Sequence, residues 1–294
     1  MTDFIQHVAD AVSLGSLYAV LALGIALIFG IMNLINFAYG ELIMIGGYTL
    51  FLLADAPWPL QLAGCLLVTI IAAVLMERLA FRPFRGASAP VLLVTSFALS
   101  FALQSLCTVI FTSRAKGVSL PTWFDESLSV GSITFSSLNL ITVVVMIVLV
   151  GGLATFLQRS MLGVQMRAAA ENFKMAQLVG VRSNVVIGLA FVLSGLFAGV
   201  AAILFVAQGG TVTPSMGSAP VLIAFVATII GGLGSLYGAA YGGFFLGILT
   251  VALQVMLPDA LAPYRDAFLY AGVVLILLLR PQGLIVVKSR FERV

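Results

Sequence analysis

Residues 33–41, NLINFAYGE, place two asparagines, a tyrosine and a glutamate inside a long stretch that is otherwise apolar. A carboxylate at the centre of a bilayer costs roughly 2.5–3.5 kcal/mol on insertion scales. If this stretch lies in lipid, Glu41 therefore needs a partner, a water-filled cavity or a position near the membrane surface. Two roles are open to it: capping the N-terminus of the following helix, where the helix dipole favours an anion, or serving a translocation path or gate. The span assignment and orientation that follow from hydropathy and the basic residues place it near the cytoplasmic end of its helix, where that cost falls.

Two further segments could carry chemistry. RAAAENFKMAQLVG, residues 167–180, is rich in good helix formers and closes on Gly180, a suitable C-cap. Arg167, Glu171 and Lys174 have the spacing of helical ion pairs, while Phe173, Ala176 and Leu178 offer an apolar surface. Such a helix could lie in the headgroup layer, dock in a partner's groove or simply connect two spans. GGLGSLYGAAYGG, residues 231–243, breaks an apolar run with glycines that allow close backbone approach. Gly231, Gly232, Gly234, Gly238 and Gly242 read as helix-packing positions, and Gly238–Gly242 and Gly243–Gly247 are small-xxx-small pairs.

The elements that must position these residues follow from composition. Of 294 residues, 62% are hydrophobic and 9% charged, with a mean hydropathy of +1.19. A soluble domain averages about 45–50% apolar and about 25% charged, so the chain reads as an all-α, polytopic membrane protein. Apolar runs bounded by Pro, Gly or charge predict spans near 10–31, 38–54, 59–80, 90–112, 138–157, 184–207, 218–233, 238–257 and 265–280. The count is about nine, in a single membrane domain over 1–294 with a loop at about 158–183. The acidic stretch MTDFIQHVAD lacks the basic n-region of a cleaved signal peptide, so the first span is expected to be retained.

Eleven of the 14 Lys and Arg residues fall on one side of this arrangement: Arg78, Arg82, Arg85, Arg159, Arg167, Lys174, Arg182, Arg280, Lys288, Arg290 and Arg293. Only Arg114, Lys116 and Arg265 fall on the other. The excess of cations marks the cytoplasmic face, which predicts an outside N-terminus and a cytoplasmic C-terminus. The long loop 113–137, with Pro121 and Trp123, then faces outside.

Several classes are disfavoured. The net charge is +3 with scattered cations, giving no nucleic-acid footprint. Cys65 and Cys107 make neither a disulfide framework nor a metal quartet, and one histidine, His7, gives no support to histidine chemistry. No G-x-x-x-x-G-K-[ST] or H-E-x-x-H occurs, and GGLGS is not a nucleophile elbow. Intramembrane acids are too few for a proton relay, which weighs against a self-sufficient secondary carrier. A stand-alone channel or intramembrane enzyme is likewise without visible machinery.

The segments SLGSLYAVLALGIALIFGIMNLINFAYGELIMIGGY, RAAAENFKMAQLVGV, GGLGSLYGAAYGG and LLLRPQGL occur in the order seen in the LivH-type permeases of branched-chain amino acid ABC importers, which this chain resembles over nearly its whole length. The resemblance implies a pore subunit without enzymatic activity or a cofactor of its own. It further implies a second, LivM-like permease, two cytoplasmic ATPases that bind ATP and Mg, and a periplasmic amino-acid-binding protein. Arg167, Ala170, Glu171, Ala176 and Gly180 fall where such permeases place an ATPase-coupling helix, and Phe173 and Lys174 lie within it. Asn172 departs from the importer pattern E-A-A-x-x-x-G, and Tyr39 stands where relatives commonly have histidine. For a zwitterionic, aliphatic cargo the path candidates are Asn33, Asn36, Tyr39, Glu41, Thr95, Ser96, Gln104 and Gln208. Urea or short amides are the alternative cargo.

Overall fold

Backbone in hydrocarbon must satisfy its own hydrogen bonds, so continuous apolar runs fold as helices. The computed structural model describes residues 2–118, 127–130, 133–258, 260–280 and 283–284. Its helices are α1 (Thr2–Met32), α2 (Tyr39–Leu52), α3 (Trp58–Met76), α4 (Ala89–Phe111), α5 (Ser137–Arg159), α6 (Met161–Glu171), α7 (Phe173–Leu178), α8 (Ser183–Gly209), α9 (Ser218–Gly231), α10 (Leu236–Met256) and α11 (Arg265–Leu279). Among the described residues, seven helices are long and apolar enough to cross a membrane: α1, α3, α4, α5, α8, α10 and α11 with the turn before it. This is a multi-pass membrane protein.

The nine expected spans coincide with α1–α5 and α8–α11, with two differences. The first helix begins at Thr2 instead of residue 10. Helices α2 and α9 have 14 residues each, about 21 Å at 1.5 Å per residue, which is too short for about 30 Å of hydrocarbon.

These half-length helices belong to a repeat. Long α1 is followed by a non-helical link, short α2, then α3 and α4; long α8 is followed by a non-helical link, short α9, then α10 and α11. Packing repeats as well: α1 lies against α10 and α9, as α8 lies against α3 and α2. The start of α1 (His7, Asp10) shares a cavity with the ends of α8 (Gln208) and α10 (Gln254), so α1 runs antiparallel to both. The two halves are thus inverted copies, with α5, α6 and α7 between them. Buried α1 and α8 form the centre, while α4, α5 and α11 are exposed over most of their surfaces.

Close approach at the helix crossings requires glycine. A Cβ on Gly247 would lie 2.2 Å from the Gly15 Cα, and one on Gly243 2.5 Å from the Ala19 nitrogen, so these two seat α10 on α1. A Cβ on Gly231 would lie 1.9 Å from the Gly238 carbonyl, and one on Gly242 2.1 Å from the Ala227 carbonyl, where α9 meets α10. Gly232 (φ 108°) and Gly234 (φ 91°) turn the chain between those helices.

The loop expected over 113–137 contains a hairpin of β2 (Ser127–Val130) and β3 (Ile133–Ser136), and its start, β1 (Lys116–Gly117), pairs with β4 (Thr211–Val212) beyond α8. Pro121, Trp123, Lys288, Arg290 and Arg293 lie outside the described residues. Cys65 and Cys107 are free and buried.

Overpacking a full core commonly costs about 1–3 kcal/mol. Gly247→Val is expected to lower the thermal midpoint of the detergent-purified protein or prevent its accumulation in the membrane. Gly272→Ala, whose Cβ would have its nearest neighbour at 3.8 Å, is expected to change neither.

Candidate translocation site and coupling loop

The site is built on the interruption after α1. Asn33 ends that helix in the left-handed region (φ 50°), a conformation asparagine tolerates better than most residues. Residues 33–38 then turn back into the protein. The buried Asn36 side chain accepts from the Ala38 N–H at 3.1 Å and donates to Met76 Sδ at 3.7 Å. Ser96 donates to the Ile35 carbonyl at 3.3 Å, and the Phe37 ring stacks on Phe97 at 4.2 Å and lies 5.5 Å from Phe225. Non-helical backbone inside a membrane protein is tolerated where it is buried in protein, and these contacts provide that cover.

At the end of this link α2 begins, and its N-terminus meets that of α9. A Cβ on Gly217 would lie 2.0 Å from the Gly40 carbonyl. From this contact α2 runs towards Val212, just past the end of α8, while α9 runs towards Gly238 at the start of α10. The two short helices therefore leave one point in opposite directions.

Glu41 lies here, not near a membrane face as its sequence position suggested. It is 2% exposed, and its Oε1 accepts from Ser100 Oγ at 2.8 Å. Ser100 is the middle residue of the 23-residue α4, which puts the carboxylate half-way along that span. It lies in the first turn of α2, where the helix dipole favours an anion, while no side-chain hydrogen bond caps that helix. Glu41 Oε2 has no donor among the described residues. The chain folds back after α1, and this reversal, invisible to hydropathy, moves Glu41 inward.

Helix α4 faces this region with a polar stripe at four-residue spacing: Ser96, Ser100, Gln104 and Thr108. Gln104 donates to the Pro214 carbonyl in the link before α9 at 3.4 Å. Tyr39 is fully buried with its hydroxyl unpartnered among the described residues, against Gly24, where a Cβ would lie 2.1 Å from the Tyr39 oxygen. Asn36, Glu41, Ser96 and Gln104 thus gather at a seam where α4 meets the two links and α2, while Tyr39 faces α1 instead. Thr95 bonds only the Val91 carbonyl of its own helix, at 2.8 Å. Gln208 is exposed in the separate cavity with His7 and Asp10, and Asn33 is exposed at the other end of α1. Sequence reasoning missed Ser100, Thr108 and Gly24; the four-residue period along α4 was the available signal for the first two.

The loop expected to hold one helix over 166–180 holds two, α6 and α7. Ser160 caps α6 by accepting from the Gly163 N–H at 2.8 Å, and Asn172 caps α7 by accepting from the Met175 N–H at 3.2 Å. Asparagine is among the best N-cap residues, so the residue that departs from the importer pattern is the one that breaks the helix. Gly180 (φ 92°) closes α7 with 6→1 and 5→2 bonds from Val181 and Gly180 to Ala176 and Gln177. Arg167, Glu171 and Lys174 are exposed and form no ion pairs with one another. Ala176 is buried and Phe173 half-buried, while Met175, Leu178 and Val179 present an exposed apolar edge. Arg167, Ala170 and Glu171 line a cavity of about 400 Å³ together with Ala26, Leu27 and Ile31 of α1, Gln158 of α5 and Gly234–Tyr237.

The family profile described as "Branched-chain amino acid transport system / permease component" matches residues 8–279. The chain belongs to this family. The permease is 33% identical over 299 residues to the high-affinity branched-chain amino acid transport system permease protein BraD of Pseudomonas aeruginosa, covering 96% of this chain and 95% of that one. It is 34% identical over 298 residues to the LivH permease of Salmonella typhimurium, with the same coverage. A probable branched-chain amino acid permease of Methanocaldococcus jannaschii is 27% identical over 283 residues, 92% of this chain and 86% of that one. No solved structure gives a significant match.

The hydrogen bonds of the permease separate two neighbouring hydroxyls. Ser100→Ala removes the donor to a buried carboxylate and is expected to destabilise by about 1–3 kcal/mol. Thr95→Ala, which loses only a bond within its own helix, is expected to stay within about 0.5 kcal/mol of wild type. Denaturation of the detergent-purified protein measures both.

Proposed function

We propose that this permease forms the pore of an ATP-driven importer and carries branched-chain amino acids across the cytoplasmic membrane. The observation that carries the reading is that one helix, α1, touches both Tyr39 at the start of α2, the helix that bears the mid-membrane carboxylate, and the α6–α7 loop. Its Gly24 packs on Tyr39, two residues from Glu41, and its end lines the cavity bordered by Arg167, Ala170 and Glu171. Displacement of α6 therefore bears on the helix that packs against the start of α2.

The cation bias assigns the α6–α7 end to the cytoplasm and the N-terminus to the outside. There α7 offers Lys174 and the exposed edge of Met175, Leu178 and Val179 to a groove in one of two ATPase subunits. ATP and Mg bind in those subunits; this chain is a non-enzymatic partner with no cofactor of its own. A second, LivM-like permease completes the pore, and a periplasmic binding protein delivers cargo. ATP-driven closure rocks the inverted halves about their shared centre between outward and inward states.

In the seam, the unpartnered Glu41 oxygen suits an ammonium group, and exposed Phe97 and Phe101 on α4 suit an aliphatic tail. Urea and short amides are neutral and gain much less from a carboxylate, which favours the amino-acid reading.

Two variants test this in proteoliposomes holding the whole importer. Glu41→Gln, which keeps shape and removes charge, is expected to lower leucine uptake by roughly ten- to a hundredfold, the equivalent of one charged hydrogen bond, with assembly unchanged. Unaltered uptake would overturn the ammonium role. Glu171→Pro removes the backbone N–H of the final residue of α6 and costs about 3 kcal/mol in helix geometry; it is expected to abolish ATP-driven uptake while membrane insertion stays normal. Normal uptake by that variant would overturn the coupling role.

A further inference from the structure

At the end of α3 the chain leaves α geometry for a π turn over Glu77–Phe81 and a 3-10 turn over Arg82–Phe84. Arg78, Arg82 and Arg85, spaced four and three residues apart, face one cavity. With Val74, Glu77 and the first turns of α8 (Asn184, Val185, Gly188, Val192) they line a cavity of about 350 Å³. Glu77 is the only carboxylate there, and it is ion-paired with Arg85, which also donates to Asn184. Arg78 and Arg82 have no ion-pair partner among the described residues, and the Arg85 Nε–H is buried without an acceptor among them. The α8 N-terminus has no side-chain cap at Arg182, so its dipole adds to the positive field. Val185 in the lining is exposed, as are Leu75, Leu79 and Phe84, which adjoin lining residues along the chain.

The inverted repeat supplies an internal comparison. The equivalent groove at the opposite membrane face, between the end of α10 and the start of α1, holds a cavity of about 460 Å³ lined by His7, Asp10, Asn139 and Gln254, with no arginine or lysine in its lining among the described residues; of that lining, Arg265 reaches only Gln254, at 3.5 Å. The fold makes both grooves; the sequence makes only one of them cationic.

We propose that the arginine-lined cavity binds the phosphate of an anionic phospholipid, with the acyl chains lying along Leu75 and Leu79. Guanidinium groups match phosphate in bidentate geometry, and basic pockets between spans on the cytoplasmic side suit such headgroups. The apolar flank distinguishes a lipid phosphate from a free one. The proposal takes the cytoplasmic placement of this end from the reading above and is independent of the cargo.

The test is native mass spectrometry of the assembled importer, released from nanodiscs of phosphatidylglycerol and phosphatidylcholine. Wild type is expected to retain phosphatidylglycerol selectively, and excess inorganic phosphate to leave it in place. Arg78→Ala with Arg82→Ala is expected to weaken retention roughly 25-fold, about fivefold per basic residue, and Arg78→Lys with Arg82→Lys, which keeps the charge but loses the bidentate fork, to weaken it less. If the double alanine variant fails to accumulate, Arg82→Gln alone is expected to weaken retention about fivefold. Asp10→Ala, in the equivalent groove, is expected to change nothing. Equal retention in wild type and the alanine variant, or in Arg82→Gln where that replaces it, would overturn the proposal. So would displacement by inorganic phosphate, which marks a free-anion site, or loss of ATPase subunits with lipid retention intact, which marks a protein-docking patch. Leucine uptake reports separately on the transport reading.

Discussion

A backbone amide or carbonyl left unpaired in hydrocarbon costs several kcal/mol, and the architecture turns on where the chain breaks its helices despite that cost. It does so twice inside the protein, at 33–38 and at 213–217, one break in each inverted half. Side chains from outside each break cover it: Ser96 reaches the Ile35 carbonyl and Gln104 the Pro214 carbonyl. The two short helices that follow meet at Gly40 and Gly217, where neither residue has room for a Cβ. The polar groups gathered for these repairs are the same groups that make the interior of the permease chemically distinct from lipid.

Within that interior the charge is sparse. Glu41 stands between two helix N-termini, whose dipoles favour an anion, and one hydroxyl satisfies one of its oxygens. The remaining charge lies at the ends of the helices. Arginines collect at the end of α3, and α6 and α7 carry Arg167, Glu171 and Lys174 on exposed positions. Under the proposed function, recognition at mid-membrane and force transmission at the surface are separate tasks, with α1 placed between them.

Much of this was legible in the sequence. Continuous apolar runs and their Gly, Pro and charged boundaries located nine of the described helices, because burial in lipid demands composition that no soluble surface would carry. Hydropathy could not show that α2 and α9 are half-length, since an apolar link reads like an apolar helix, and the inward displacement of Glu41 followed from that. The glycines at 238, 242, 243 and 247 announced close packing, but spacing alone does not name the partner: the first two face α9 and the last two α1. Helix propensity ran 166–180 together, whereas Asn172 prefers to cap and divides it. Ser96 of α4 was a path candidate, but Ser100 was passed over because only the fold brings it to Glu41.

The central claim is that this chain is a passive conduit whose motion is driven from outside, through α6 and α7. Purification of the permease with its native associates, followed by ATP hydrolysis assays in liposomes, tests that most directly. The expected result is co-elution of ATPase subunits and hydrolysis that rises when amino-acid-loaded binding protein is added. A permease that elutes without an ATPase and sustains substrate flux in the absence of ATP would contradict it.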